Sequence, residues 1–361
     1  PIVGHVIKEF LPWAHLLTYV EAVMRVYNRY GRRDNLNKAR IKILVKALTP
    51  ERFREQVEAE WALLKDGPST LTEEEVRRVE GRFTRPVYAP LPADDADHAA
   101  RLASEPAFAA WAKRNVHPHK APGYAAVTLS LKKTGVPPGD ATAEQMDAVA
   151  DLADRYSQGE LRVSHEQNLI LADVRQSELH ELWVEAKALG LATPNIGLIT
   201  NIIACPGGDF CSLANAKSIP VAEAIQRRFD DLDYVYDIGE LDLNISGCMN
   251  SCGHHHVGHI GILGVDKNGE EWYQISIGGN QGLTRPGAPA GLGKVIGPSV
   301  ARAEIPDVIE QLIGVYLERR GDEEERFIDV VWRIGIEPFK ERVYGGHHQG
   351  DERRRRSLAA A

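Results

Sequence analysis

Residues 160–174, ELRVSHEQNLILADV, read as two strands, ELRVSH and NLILADV, joined closely through Glu166 and Gln167. A hairpin at this place organises what surrounds it. Upstream, YAAVTLSL (124–131) alternates like a strand, and Thr142 with Gln145 predicts a capping box that opens a helix running to about Tyr156. Downstream, Ser177 to Leu189 reads as a helix and GLITNII (197–203) as a strand. The order is β-α-β-β-α-β, the ferredoxin-like arrangement of an antiparallel sheet with helices on one face, which places the chain in the α+β class.

Before this block, a proline-, glycine- and acid-rich passage over 67–120 reads as a linker; it includes GPSTLTEEE, YAPLPADDADH and NVHPHKAPG. Earlier still, HLLTYVEAVMRVYNRYG sets Leu16, Val20, Val23, Met24 and Tyr27 at helical spacing, with Gly31 as the stop. TPERFREQVEAEWALL is a second amphipathic helix, with Pro50 in its first turn and a stripe of Phe53, Val57, Trp61 and Leu64. Pro1 stands where an initiator methionine is expected and no strand precedes these helices, so they are expected to belong to a longer protein. After the hairpin block come a helix-like piece (Leu213 to Phe229) and the alternating strand ELDLNIS. Strand-like GHIGILGV and EWYQISIGGN follow, then a helix from Pro306 to Arg320.

With 361 residues, 43% of them hydrophobic, the chain can fill two or three ordinary cores. A formal net charge of −8 argues against a general nucleic-acid binder, which needs a basic face. No apolar run approaches the roughly 20 residues of a membrane span, and the first residues lack the plan of a secretion signal. A cytoplasmic protein without membrane or nucleic-acid partners is expected. The basic run Arg353 to Arg356 sits in a polar tail, 346–361, that reads as disordered.

Four cysteines remain to be explained. Cys205 and Cys211 lie in NIIACPGGDFCSLANA, Cys248 and Cys252 in NISGCMNSCGHHHVGHIGILGV; five residues separate the first pair, three the second, and 36 lie between the pairs. Disulfides fit poorly with a chain that carries no export signal. A structural zinc takes two close knuckles, which the second pair matches better than the first. An iron–sulfur cluster also takes four thiolates and accepts wider spacing, while glycines at 207, 208, 247 and 253 let the backbone turn its amides toward sulfur. The residues favour the cluster and leave zinc open. His254, His255, His256 and His259 have the composition of a metal tract. Neighbours on an extended chain point opposite ways, however, so some of these rings are expected to pack or hydrogen-bond beside the cluster and the rest to be solvated.

The paired motif, C-x₅-C in ACPGGDFCSLA and C-x₃-C in SGCMNSCG, resembles the signature of the siroheme-containing nitrite and sulfite reductases. YGRRDNLNKARIKILV resembles the segment that closes that family's first cofactor domain. RVSHEQNLIL resembles the strand-turn of its second half, and YQISIGGN its later glycine turn. The resemblance implies the helical end of a first siroheme/cluster half-domain at 1–66. A ferredoxin-like half-domain at 121–200 and a siroheme and [4Fe–4S] domain at 201–345 would follow. Cys205, Cys211, Cys248 and Cys252 would ligate the cluster, and Cys252 would also bind the siroheme iron.

Siroheme carries eight carboxylates. Arg40 and Lys42 match a basic pair that the family aims at them, although a solvated helix face is the alternative. Arg162, Gln167 and Asn168 match a turn that approaches the macrocycle; Arg162 has a surface ion pair as its alternative. Asn250 would hold the cysteine loop through its amide or serve as a plain turn residue. The implied activity is six-electron reduction of sulfite to sulfide or nitrite to ammonia, with ferredoxin or an NADPH-flavoprotein subunit as electron donor. The family's distal anion-binding side chains come from a first repeat, so the catalytic residues are expected outside this chain. The alternative is a non-catalytic metal-binding module held by zinc or a lone cluster.

Overall fold

The computed structural model describes residues 2–35, 38–83, 86–282 and 290–345; the tail read as disordered lies outside them. The chain divides into two compact units, Pro1–Val87 and Tyr88–Ala361. Among the described residues no helix is long and apolar enough to cross a membrane.

The first unit contains helices α1 (Leu16–Tyr30), α2 (Ile41–Leu48), α3 (Pro50–Ala62) and α4 (Glu73–Glu80). Pro50 occupies the first turn of α3, where its missing N–H is not needed. Tyr19, Ala22 and Val26 of α1 form a core with Leu44 of α2 and Phe53 and Val57 of α3. The stripe expected on α1 is thereby corrected. Val23 and Tyr27 are partly buried, but Leu16, Val20 and Met24 are 52, 51 and 46% exposed. This helix is apolar on two faces, and spacing alone does not say which one α3 covers.

The second unit opens with α5 (Ala96–Ser104) and α6 (Pro106–Asn115). Strands β1 (Val116–Pro118) and β2 (Tyr124–Leu129) follow, then α7 (Ala143–Tyr156), β3 (Leu161–Val163), β4 (Leu169–Arg175) and α8 (Leu179–Ala188). The four strands form an antiparallel sheet in the order β1-β2-β4-β3. The expected capping box is present: the Thr142 hydroxyl accepts from Gln145 N and the Gln145 side chain accepts from Thr142 N. Phe108 and Trp111 of α6 share the core with Val127, Leu152, Leu171 and Leu182.

Two expectations are corrected here. The passage read as a linker carries α4, α5, α6 and β1. Its polar residues cap helices, with the Thr72 hydroxyl accepting from Glu75 N and the Asp95 carboxylate accepting from His98 N. The closing strand predicted at GLITNII is reduced to Ile203–Ala204 and joins a different sheet. The fourth strand of the first sheet is instead β1, an edge strand that tolerates Pro118 at its end.

The second sheet takes strands β5 (Ile203–Ala204), β6 (Leu243–Ser246), β7 (Ile260–Lys267), β8 (Glu270–Ile277), β9 (Lys294–Val295) and β10 (Val300–Ala301). Its order is β10-β8-β7-β6-β5, with β9 also paired to β8; β5, β6 and β7 run parallel and the other pairings are antiparallel. Every residue of β6 is buried. Around this sheet lie the short α9 (Gly207–Phe210), α10 (Ile219–Arg228), α11 (Leu232–Ile238), α12 (Ile305–Arg319) and α13 (Phe327–Ile334). The helix expected from Leu213 begins only at Ile219, because residues 214–216 bond back to neighbouring loops.

The helices of the first unit are repeated inside the second. Both α1 and α12 have 15 residues, and each ends on an extended residue, Gly31 or Arg320, whose N–H returns to a tyrosine carbonyl, Tyr27 or Tyr316. Both α2 and α13 have eight residues, follow an extended arginine, Arg40 or Arg326, and end at a positive φ, 74° at Thr49 and 76° at Gly335. Phe53 and Val57 then match Phe339 and Val343, all buried. What differs is the cover. Ile305, Ile309 and Ile313 are fully buried in the core of the second sheet, whereas their counterparts Leu16, Val20 and Met24 are exposed.

Candidate functional site

The cysteine pairs hang from the same end of two adjacent parallel strands. Ile203 and Ala204 of β5 pair with Asn244 and Ile245 of β6. Cys205 therefore follows the end of one strand directly, and Cys248 follows the other by two residues. Parallel pairing holds both chain exits side by side, as it does for ligand loops at the carboxyl ends of other parallel strands.

Glycines then let the two loops touch. Gly247 N donates to the Cys205 sulfur at 3.0 Å, and the Ser218 hydroxyl lies 3.4 Å from the same sulfur. Asn215 N and Ala216 N both donate to Gly247 O, at 2.8 and 3.1 Å. A β-carbon at Gly247 would fall 2.5 Å from Ala216 O and 2.9 Å from Gly207 Cα, so no larger residue fits without parting the loops. Gly253, after the last cysteine, is tighter still: its β-carbon would meet Ile245 O at 1.9 Å. Cys205 and Cys248 are buried, Cys211 is half-buried and Cys252 is exposed. The site thus has three sheltered or partly sheltered thiols and one facing outward.

The other predicted residues divide. Gln167, at φ 60°, reaches Ala204: its Nε2 donates to Ala204 O at 2.7 Å and its Oε1 accepts from Ala204 N at 3.0 Å. The amide thereby closes the free edge of β5 as a neighbouring strand would, next to Cys205. Asn168 is fully buried; its Oδ1 accepts from Leu131 N and its Nδ2 donates to Asn201 Oδ1, both at 3.0 Å. Both amides are consumed in holding the fold. Arg162, on the exposed edge strand β3, pairs with Glu160. Arg40 and Lys42, in the first unit, are exposed, with no side-chain hydrogen bond or ion pair among the described residues. Asn250 is exposed on the turn between Cys248 and Cys252.

The histidine tract does not converge on an ion; among the described residues no three His, Cys, Asp or Glu side chains gather closely enough to hold one. His254 takes a left-handed conformation at φ 53° to start a single 3₁₀ turn. His259 is buried and its Nδ1 accepts from Asp242 N at 3.1 Å. His255 is buried with its ring edge-on to His256 at 5.3 Å. Sequence reasoning passed over Lys132, which is 1% exposed and donates to Gln167 Oε1 at 3.3 Å. Its place beside the alternating run YAAVTLSL was the one available signal.

The chain matches two family models. Residues 2–64 and 197–349 match the nitrite and sulphite reductase 4Fe-4S domain, and residues 117–189 match the nitrite/sulfite reductase ferredoxin-like half domain. Among curated proteins it is 30% identical to a ferredoxin–nitrite reductase of Synechococcus elongatus, over 87% of this chain and 53% of that one. It is 29% identical to sulfite reductase [ferredoxin] 2 of Mycolicibacterium paratuberculosis, over 91% of this chain and 53% of that one. Among solved structures, the Mycobacterium tuberculosis NirA protein matches with a TM-score of 0.66 and 26% identity, covering 94% of this chain and 56% of its own. The chain thus spans about half the length of the curated relatives it matches.

Proposed function

Because the chain belongs to the family of nitrite and sulfite reductases, we propose that its two cysteine loops hold a [4Fe–4S] cluster and that Cys252 also ligates the iron of a siroheme. The observation that carries this reading is the junction of the loops, where Gly247 N donates to the Cys205 sulfur and both cysteine pairs leave parallel strands together. An amide N–H on a ligand sulfur disperses thiolate charge, as cluster ligands require. Four thiols spread over two loops, with five residues between the first pair, suit a multi-iron cluster better than the close knuckles of a tetrahedral zinc site. The exposure of Cys252 leaves its sulfur free to meet a second metal centre.

Siroheme, when bound, supplies the open iron position for the anion, and the cluster supplies electrons singly. The chain's own part is ligation, orientation and charge. Arg40 and Lys42 are free to pair with siroheme carboxylates, and Asn250 is placed to steady the loop between Cys248 and Cys252. Gln167 and Asn168 act one layer back, on the strand that delivers Cys205. The reaction would be six-electron reduction of sulfite or nitrite, the two anions named in the relatives, with ferredoxin as the donor that those same names favour. Residues 1–66 would be the helical end of a first half-domain; the repeat of α12 and α13 in α1 and α2 supports this, and a sheet like that of the second unit would cover Leu16, Val20 and Met24.

The test compares Cys252→Ser with Cys205→Ser in the full-length protein by EPR and Mössbauer spectroscopy. Cys252→Ser should abolish exchange coupling between haem iron and cluster, since a hydroxyl is a harder, less readily ionised ligand. Coupling that persists in Cys252→Ser assigns the bridge to another residue. Metal analysis that finds zinc and no iron in anaerobically purified protein overturns the whole reading.

A further inference from the structure

Lys132 is a buried ionisable group that the proposed chemistry leaves unused. Its side chain is 1% exposed and, among the described residues, makes no ion pair and a single hydrogen bond, to the neutral Oε1 of Gln167 at 3.3 Å. A buried amine without a carboxylate partner is costly unless it is neutral or serves a purpose. The same Oε1 accepts from Ala204 N at 3.0 Å, so two hydrogen bonds link the amine to the peptide that precedes Cys205. The charged groups facing it are Glu166, on the turn between β3 and β4, and Asp140, on the loop after β2. A cavity of about 570 Å³ lined in part by Leu131, Asp140, Gln167 and Ala204 brings solvent to its surroundings.

We propose that Lys132 is a redox-linked proton acceptor, which binds one proton from water when the cluster site beside Cys205 gains one electron from an external one-electron donor. The inference rests on the cysteine assignment above. The balance is simple. One electron adds one negative charge at the thiolate end of the Gln167 link; one N–H bond forms at the Lys132 nitrogen, converting amine to ammonium, and the net charge is unchanged. Gln167 keeps its place in both states, because its Oε1 accepts a hydrogen bond from either form. Burial independently pulls the amine down to about 7, so it can change protonation near neutrality.

The experiment reconstitutes the full-length protein anaerobically with iron and sulfide and follows the midpoint potential of the cluster by EPR-monitored redox titration between pH 6 and 9. In the parent, reduction should become harder as pH rises above about 7, by up to tenfold in the equilibrium per pH unit, which is about 59 mV for one electron. Lys132→Met should give a potential independent of pH. Lys132→Arg, permanently charged, should also be flat, but near the parent's low-pH value; this second variant separates charge from packing. A parent potential that does not change with pH, or a slope that survives in Lys132→Met, overturns the proposal while leaving the cysteine assignment intact. Failure of the parent to assemble a cluster overturns both.

Discussion

Replacing Gly247 with alanine tests whether loop contact, and not cysteine spacing alone, builds the cluster site. The new methyl would begin 2.5 Å from Ala216 O and 2.9 Å from Gly207 Cα, where ordinary contact starts at 3.4 Å. Both neighbours are backbone, so no side chain can swing aside. The loops must part by about 0.9 Å, several times the roughly 0.2 Å that metal–ligand distances tolerate. The hydrogen bond from Gly247 N to Cys205 would be drawn out by the same movement. In stability the change should cost about 1–3 kcal/mol, the usual range for overpacking, so most of the chain should remain folded. The assay is anaerobic reconstitution followed by iron and sulfide analysis, visible absorption and circular dichroism. We expect native-like circular dichroism with less than half the parent's iron. Gly291→Ala, whose β-carbon would have nothing within 4 Å, should keep the full complement. Full iron content and an unchanged spectrum in Gly247→Ala would refute the reasoning.

Removing Arg40 and Lys42 together in the full-length protein should weaken siroheme retention by about 1.5–3 kcal/mol for each lost charge-assisted bond and spare the cluster, as read by haem content after gel filtration. Gln167→Leu should orphan the N–H and C=O of Ala204, which is 4% exposed, at about 1–3 kcal/mol per group; hydrogen exchange at the Ala204 amide should quicken markedly while that at Leu152 does not. His255 is drawn down to about 4, first by burial and then by His256. The unfolded chain therefore binds a proton that the folded chain refuses, so this contribution is complete above about pH 6.5 and is lost as pH falls toward 4, by up to roughly 3 kcal/mol. Urea titrations across that range should show a shallower acid limb in His255→Gln.

The sequence was most legible where one local signal had one meaning. Thr142 and Gln145 stand three apart before an apolar helix, and the capping box is there. The glycines flanking the cysteines announced tight turns, and the Gly247–Cys205 contact is of the kind expected of them. Legibility failed where a side chain's partner is remote in sequence. The amides of Gln167 and Asn168 bond to Ala204 and to Leu131 and Asn201, partners that the sequence did not name; an amide's identity does not say which backbone lies opposite. GLITNII looked like a strand because its apolar residues are real core residues, but in the second core Leu198 makes only an isolated bridge to Glu240, Ile199 lies in a turn and Ile202 in irregular chain. The linker was misread for a related reason. Proline, aspartate and threonine mark helix starts as well as loops, and the composition of a short segment does not separate the two.

The pairing of β5 with β6 has a consequence for how such a centre tolerates change. Neighbouring strands lie about 4.8 Å apart whatever joins them, so the sheet acts as a ruler between the two thiol-bearing loops. The 36 residues between the pairs run from one mark on that ruler to the other and set none of its length. An insertion beside the exposed Asp230, between α10 and α11, should therefore be absorbed, whereas one residue added between Ala204 and Cys205, or between Ser246 and Cys248, would move a ligand off its mark. A pattern used to recognise further members ought to leave the long gap elastic and hold rigid the few residues that tie each cysteine to its strand.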